Sequence, residues 1–109
     1  MAAPLELVDA ERFQQEVLDE RDGVVLVDLW SRTCPHCARL APEFDAAADA
    51  DEKGVKFVKV AAQDCMEVFR QHNITGVPTL ILFKNGEEVA RAAGFKTAAD
   101  IAEWVSHYL

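Results

Sequence analysis

A chain of 109 residues, half of them hydrophobic and 28% charged, suffices for one domain over 1–109 with its own core and leaves no room for a second. Its formal net charge of −8 argues against nucleic-acid partners, which call for clustered Lys and Arg, and against anionic membrane surfaces. No stretch approaches a membrane span, and Met1 to Phe13 lacks the basic start and long apolar run of a secretory leader, so a cytoplasmic location is expected.

Leu5 to Val8 alternates and reads as a short strand. Asp9 can cap a helix that carries Phe13, Val17 and Leu18, and Arg21-Asp22-Gly23 breaks it. Val24 to Trp30 is a nearly unbroken apolar run, the signature of a strand covered on both faces. A second helix starts near Cys34, carries Leu40, Phe44 and Ala48 on one face, should kink at Pro42 and ends at Gly54. Val55, Phe57 and Val58 open another strand, and Cys65 to His72 reads as a short helix. Gly76-Val77-Pro78-Thr79 leads into the strand Leu80 to Phe83. Asn85-Gly86 is a hairpin signal, with Glu87 to Ala93 as the returning strand. Thr97 caps a last helix with Ile101, Trp104, Val105 and Tyr108 at helical spacing. The order βαβαβαββα predicts an α/β fold with a mixed central sheet and helices on both faces. Each strand–helix–strand unit should pair in parallel, and the final hairpin should add an antiparallel edge.

Three cysteines are too few and of the wrong parity for a disulfide framework. In a reducing compartment, the close pair in Cys34-Pro35-His36-Cys37 points to catalysis or metal binding. With Cys34 as the helix N-cap, Pro35 falls at the first helical position, where its fixed φ fits and its missing N–H costs little. The Cys34 sulfur then faces the free N–H groups of His36 and Cys37, and these donors and the helix dipole favour its thiolate. Cys37 lies one turn further on, within reach of a ring closed with Cys34. An accessible thiolate attacks a partner disulfide, forms a mixed disulfide, and is released by the second thiol. Attack is assigned to Cys34 and resolution to the deeper Cys37.

Val27-Asp28-Leu29-Trp30, the cysteine pair, Pro42 five beyond Cys37, Gly76-Val77-Pro78-Thr79, Lys84-Asn85-Gly86 and Gly94 follow one another in an order and spacing that resembles the thioredoxin family over nearly the whole chain. The resemblance implies a thioredoxin fold and a protein-disulfide reductase fed by a flavin-dependent thioredoxin reductase, working as a monomer without a bound cofactor or metal. It implies that Asp28 is the buried carboxylate that moves protons to and from the resolving cysteine, with Lys59 as its neighbour. An apolar setting should raise the pKa of Asp28. Pro78 resembles the cis-proline that faces the disulfide. The Val77 backbone would pair with an extended substrate segment, and Gly94 would let that segment approach. Trp30 would pack beneath the active-site loop and shape it.

The motif departs from the common Trp-Cys-Gly-Pro-Cys of the family. Proline at the first helical position restores an N–H at His36, and the His36 imidazole can donate to the thiolate or carry charge beside it. Both effects stabilise the reduced form and make the disulfide more oxidising. Cys-Pro-His-Cys resembles the motif of the DsbA oxidases, whose helical insertion cannot fit here, and that of the desulfothioredoxin group. The potentials of thioredoxin and DsbA differ by roughly 150 mV, about 7 kcal/mol for two electrons, and an intermediate value is expected. Thr33 stands where the family has an exposed Trp, which narrows the expected substrate range. Oxidase or isomerase activity, and a non-catalytic binding module, are the alternatives. Zinc is disfavoured because it wants about four ligands and only Cys34, Cys37 and His36 are near one another. Cys65 reads as an ordinary thiol, with oxidative dimerisation as its alternative, and His72 and His107 read as solvated residues at helix ends.

Overall fold

The structure, a computed structural model, describes residues 3–109. Met1 and Ala2, which begin the stretch read as lacking a leader, lie outside the described residues. The elements are β1 (Leu5–Leu7), α1 (Ala10–Phe13) running into a π-helical turn (Gln14–Leu18), β2 (Val24–Trp30), α2 (Pro35–Ala50), β3 (Lys56–Ala61), α3 (Met66–Gln71), β4 (Thr79–Lys84), β5 (Glu87–Ala93) and α4 (Ala98–Ser106). The order matches that read from the sequence.

The strands form one sheet in the order β1-β3-β2-β4-β5. β1 and β2 pair with β3 in parallel, whereas β4 runs antiparallel to both β2 and β5. The expected parallel pairing through α3 therefore fails. The 62–78 connection, of which only Met66–Gln71 is helical, leaves the chain at the end of the sheet where β3 finishes, and β4 enters from that end. One end of the sheet consequently gathers Val60, Leu29, Thr79 and Ala93, which are successive partners across β3, β2, β4 and β5.

Alternation along the strands sorts side chains onto two faces. Val25, Val27 and Leu29 of β2 join Val58, Val60, Ile81 and Phe83 beneath Phe13 and Val17 on one side and Val68 and Phe69 of α3. Leu26 joins Phe57, Leu80 and Leu82 on the other, beneath Leu40 and Phe44 of α2 and Ile101 and Val105 of α4. By the same alternation Asp28 and Lys59, register partners on β2 and β3, belong to the α2 face.

Local signals fare well. Asp9 accepts from the Arg12 amide and Thr97 from the Asp100 amide, as N-caps should. Asn85 and Gly86 turn the hairpin with φ of 53° and 85°. A Cβ on Gly86 would also collide with the Leu18 carbonyl at the end of the π-helical turn. That turn, closed by Asp19 N–H on Gln14 O at 2.8 Å, has no sign in the periodicity. Pro42 lies inside α2, which continues to Ala50. The helix stops before the expected Gly54, because Asp51 adopts an extended backbone and its carboxylate takes the Val55 amide at 2.9 Å. His72 is half-buried rather than freely solvated. Its ring packs edge-on against Phe13 and Phe83 at 5.3 and 5.8 Å, and burial pushes its imidazole below the usual pKa.

Candidate active site

The site forms where β2 hands over to α2. Cys34 is the N-cap of α2, with extended backbone (φ −103°, ψ 113°) and Pro35 directly after it. Its Sγ accepts the Cys37 amide at 3.2 Å and donates to the Val77 carbonyl at 3.7 Å. The first contact is the anion-favouring geometry of a helix start. The sulfur receives one such amide bond rather than the two expected, since the His36 N–H is not among the donors to it. His36 and Pro35 are exposed on the rim, as is Thr33, whose hydroxyl lies 3.1 Å from Ser31 Oγ.

Both thiols are free, Cys34 half-buried and Cys37 buried. Burial, reinforced by its hydrogen bond with Cys34, pushes the Cys37 thiol up to about 12. Cys37 is thus held as a thiol at neutral pH, while Cys34 is the sulfur within reach of solvent.

A cavity of about 150 Å³ lies behind the pair and is lined by Asp28, Trp30, Cys34, Cys37 and Lys59 among others. It brings together five of the residues singled out in the sequence. Asp28 is 1% exposed, and its Oδ1 has no hydrogen-bond partner among the described residues. Burial raises its pKa to about 7, with Lys59 opposing. Lys59 does not reach over to pair with it. Its ammonium instead sits 5.2 Å from the centre of the Trp30 ring, and the Arg32 guanidinium sits 5.6 Å from the same ring. The indole N–H of Trp30 donates to Glu6 at 3.4 Å, and burial raises the pKa of Glu6.

The remaining candidates form the rim across from α2. The Val77–Pro78 peptide bond is cis. Gly94 has φ of 89°, donates to the Pro78 carbonyl at 3.0 Å, and has no neighbour within 4 Å of where a Cβ would stand. Val77, Pro78 and Gly94 line one groove of about 410 Å³ that also touches Arg91. A second groove, of about 290 Å³, runs from Ser31 and Val77 to Met66, which is 50% exposed. The Arg39 guanidinium stacks on Phe95 at 4.9 Å, joining α2 to the segment after Gly94. Among the described residues no group of three or more His, Cys, Asp or Glu is placed to hold a metal ion, and no helix is long and apolar enough to cross a membrane.

Sequence reasoning passed over Ser31, Arg32, Gln63, Asp64 and Met66, all of which border the site. The four polar residues lie in loops and give no periodic signal, their pairing across the gap between residues 31–33 and 63–64 emerges only in three dimensions, and Met66 is a single exposed apolar residue at the start of α3. Cys65 lies near but not in the site. It is 3% exposed, its Sγ points to the Leu7 carbonyl at 3.7 Å, and burial raises its pKa. That placement fits the expected ordinary thiol and counts against the alternative of oxidative dimerisation.

Comparison with known proteins agrees with this architecture. The Thioredoxin family model matches residues 4–107. Thioredoxin 1 of Nostoc sp. is 35% identical over 109 residues, covering all of both chains. Protein disulfide-isomerase A3 of Gallus gallus is 40% identical over 103 residues, which are 94% of this chain and 19% of that one. The crystal structure of reduced Schistosoma mansoni thioredoxin superposes with a TM-score of 0.88 at 26% identity, covering 99% of this chain and 100% of the other. The chain belongs to the thioredoxin family and is a thioredoxin-like disulfide oxidoreductase.

Proposed function

We propose that the chain, as one domain, reduces protein disulfides through a reversible Cys34–Cys37 dithiol–disulfide couple. The observation that carries this reading is the division of labour in the pair: Cys34 is accessible and bonded to a helix-start amide, and Cys37 is buried and kept protonated. The Cys34 thiolate attacks one sulfur of a substrate disulfide, forming a Cys34–substrate disulfide and releasing the other substrate sulfur as a thiolate. Cys37 then gives its proton to the Asp28 carboxylate and attacks Cys34 Sγ. The Cys34–Cys37 disulfide forms, and the second substrate thiolate leaves. A carboxyl with a pKa of about 7 is suited to take that proton and pass it on near neutral pH.

Lys59 acts on Asp28 through its charge, and Trp30 walls the cavity between them. An extended substrate segment lies along Val77 and Pro78 and passes Gly94, whose open side leaves room for it. Pro35 pre-sets the helix start, and His36, two residues on from Cys34, makes the couple more oxidising than that of a common thioredoxin when its imidazole carries charge near the thiolate. Thr33 leaves the rim polar and narrows the substrate range. A flavin-dependent reductase returns the pair to its reduced form in the cytoplasm, with the chain acting as a monomer. The second reading, net oxidation or isomerisation, is favoured by the Pro35-His36 dipeptide. A binding module without catalysis leaves both the buried Asp28 and the sulfur geometry unused.

The experiment is disulfide trapping. Cys37→Ser should accumulate mixed disulfides through Cys34 with a disulfide-bonded protein such as insulin, and Cys34→Ser should accumulate none. Equal trapping by both variants, or trapping only by Cys34→Ser, would overturn the assignment.

A further inference from the structure

The three residues that connect β2 to Cys34 are held from outside by the loop that follows β3. Gln63 Nε2 donates to Ser31 Oγ at 2.9 Å, and Gln63 Oε1 accepts the Arg32 amide at 3.3 Å. Ser31 Oγ also accepts the Thr33 amide at 3.3 Å and touches the Thr33 hydroxyl at 3.1 Å. The Ser31 carbonyl in turn accepts the Cys34 amide at 3.3 Å. The Arg32 guanidinium grips the Asp64 carboxylate with two bonds, at 2.7 and 3.3 Å. A single side chain, Gln63, therefore bonds two successive residues of the turn that delivers the reactive sulfur, and it does so with a donor and an acceptor at once.

Thr33 and Ser31 are small and polar, so little apolar packing fixes this turn. Its position comes from hydrogen bonds and from Arg32, which is held by Asp64 and the Trp30 ring. The sulfur's contact with the Cys37 amide spans 3.2 Å, and bonds of this kind weaken quickly with displacement. A turn released from Gln63 would spend part of its time with the sulfur away from that amide.

We propose that Gln63 is a positioning residue for the disulfide exchange, holding the 31–33 turn through Ser31 and the Arg32 backbone so that Cys34 Sγ stays on the Cys37 amide. The proposal rests on the reading of Cys34 as the attacking thiol. It makes reactivity at the α2 N-terminus depend on a side chain from the loop after β3. Gln63 itself touches neither sulfur.

The test is the alkylation rate of reduced protein with iodoacetamide at neutral pH, with the modified cysteine identified by peptide mass. Gln63→Ala, Gln63→Met (which keeps the side-chain length without its polar atoms) and Ser31→Ala should each slow Cys34 alkylation by about threefold to tenfold, the worth of one hydrogen bond. The double variant Gln63→Ala/Ser31→Ala should be slowed by less than the product of the two single effects, because both remove the shared Gln63–Ser31 bond. The equilibrium with glutathione should move toward the disulfide form in the same variants, a readout that loss of general stability does not produce. Unchanged alkylation in Gln63→Ala and Gln63→Met, or effects that multiply in the double variant, would overturn the positioning role while leaving Cys34 as nucleophile. Wild-type protein alkylated first at a cysteine other than Cys34 would overturn the underlying assignment instead.

Discussion

Asp28 and Lys59 are register partners on adjacent parallel strands, yet the lysine ammonium lies over the Trp30 ring and the Asp28 Oδ1 atom is left without a hydrogen-bond partner. A carboxylate in that position is costly to ionise. Its folded pKa, about 7, lies above the value near 3.9 of an unfolded aspartate. Between those values the unfolded chain has lost the proton that the folded chain keeps, so stability falls as pH rises through this window. Above it the full penalty persists. Asp28→Asn should therefore be more stable than wild type at pH 8 in urea unfolding, with the difference shrinking below pH 6. A variant less stable than wild type at pH 8 would contradict this account of Asp28.

Lys59 lowers the Asp28 pKa by its charge and opposes the effect of burial. Lys59→Met should raise the Asp28 pKa above its wild-type value of about 7, and Lys59→Arg should leave it near that value. The midpoint is read from the pH profile of the second step of exchange in single turnover. If Asp28 takes the proton of Cys37, that profile moves to higher pH in Lys59→Met. A midpoint that stays or falls would separate Lys59 from the proton transfer.

Gly86 combines φ of 85° with close contact against the Leu18 carbonyl. Gly86→Ala must strain the hairpin and push the π-helical turn away, at a cost of about 1–3 kcal/mol. Gly23→Ala meets no neighbour within 4 Å and should change stability by no more than about 0.5 kcal/mol. Urea midpoints of the two variants check the contrast, and equal midpoints would contradict it.

Cys65 is enclosed beneath β1, and burial holds it as a thiol. Native protein treated with iodoacetamide should carry the label on Cys34 and none on Cys65 until it is unfolded. A Cys65-linked dimer formed by mild oxidation of folded protein would count against this placement.

The sequence carried the chemistry of the site more completely than its mechanics. Cys34 as N-cap, Pro35 at the first helical position and Asp28 within an apolar run are local patterns with local causes, and the fold places all three as expected. The caps Asp9 and Thr97 and the Asn85-Gly86 turn belong to the same class. What failed depended on lengths and on contacts distant in the chain. The direction of β4 follows from the path of the 62–78 connection, most of which is not helical. The burial of His72 follows from Phe13 and Phe83 meeting it from other elements. The bonds of Gln63 to the 31–33 turn join loops some thirty residues apart, and neither loop has a pattern that announces the other.

A titration of the Cys34–Cys37 couple against reduced and oxidised glutathione should show one reversible two-electron couple, absent in Cys34→Ser and in Cys37→Ser. Its potential should lie between about −270 mV, typical of thioredoxin, and about −120 mV, typical of DsbA. No reversible couple, or a potential at or below about −270 mV, would contradict this reading.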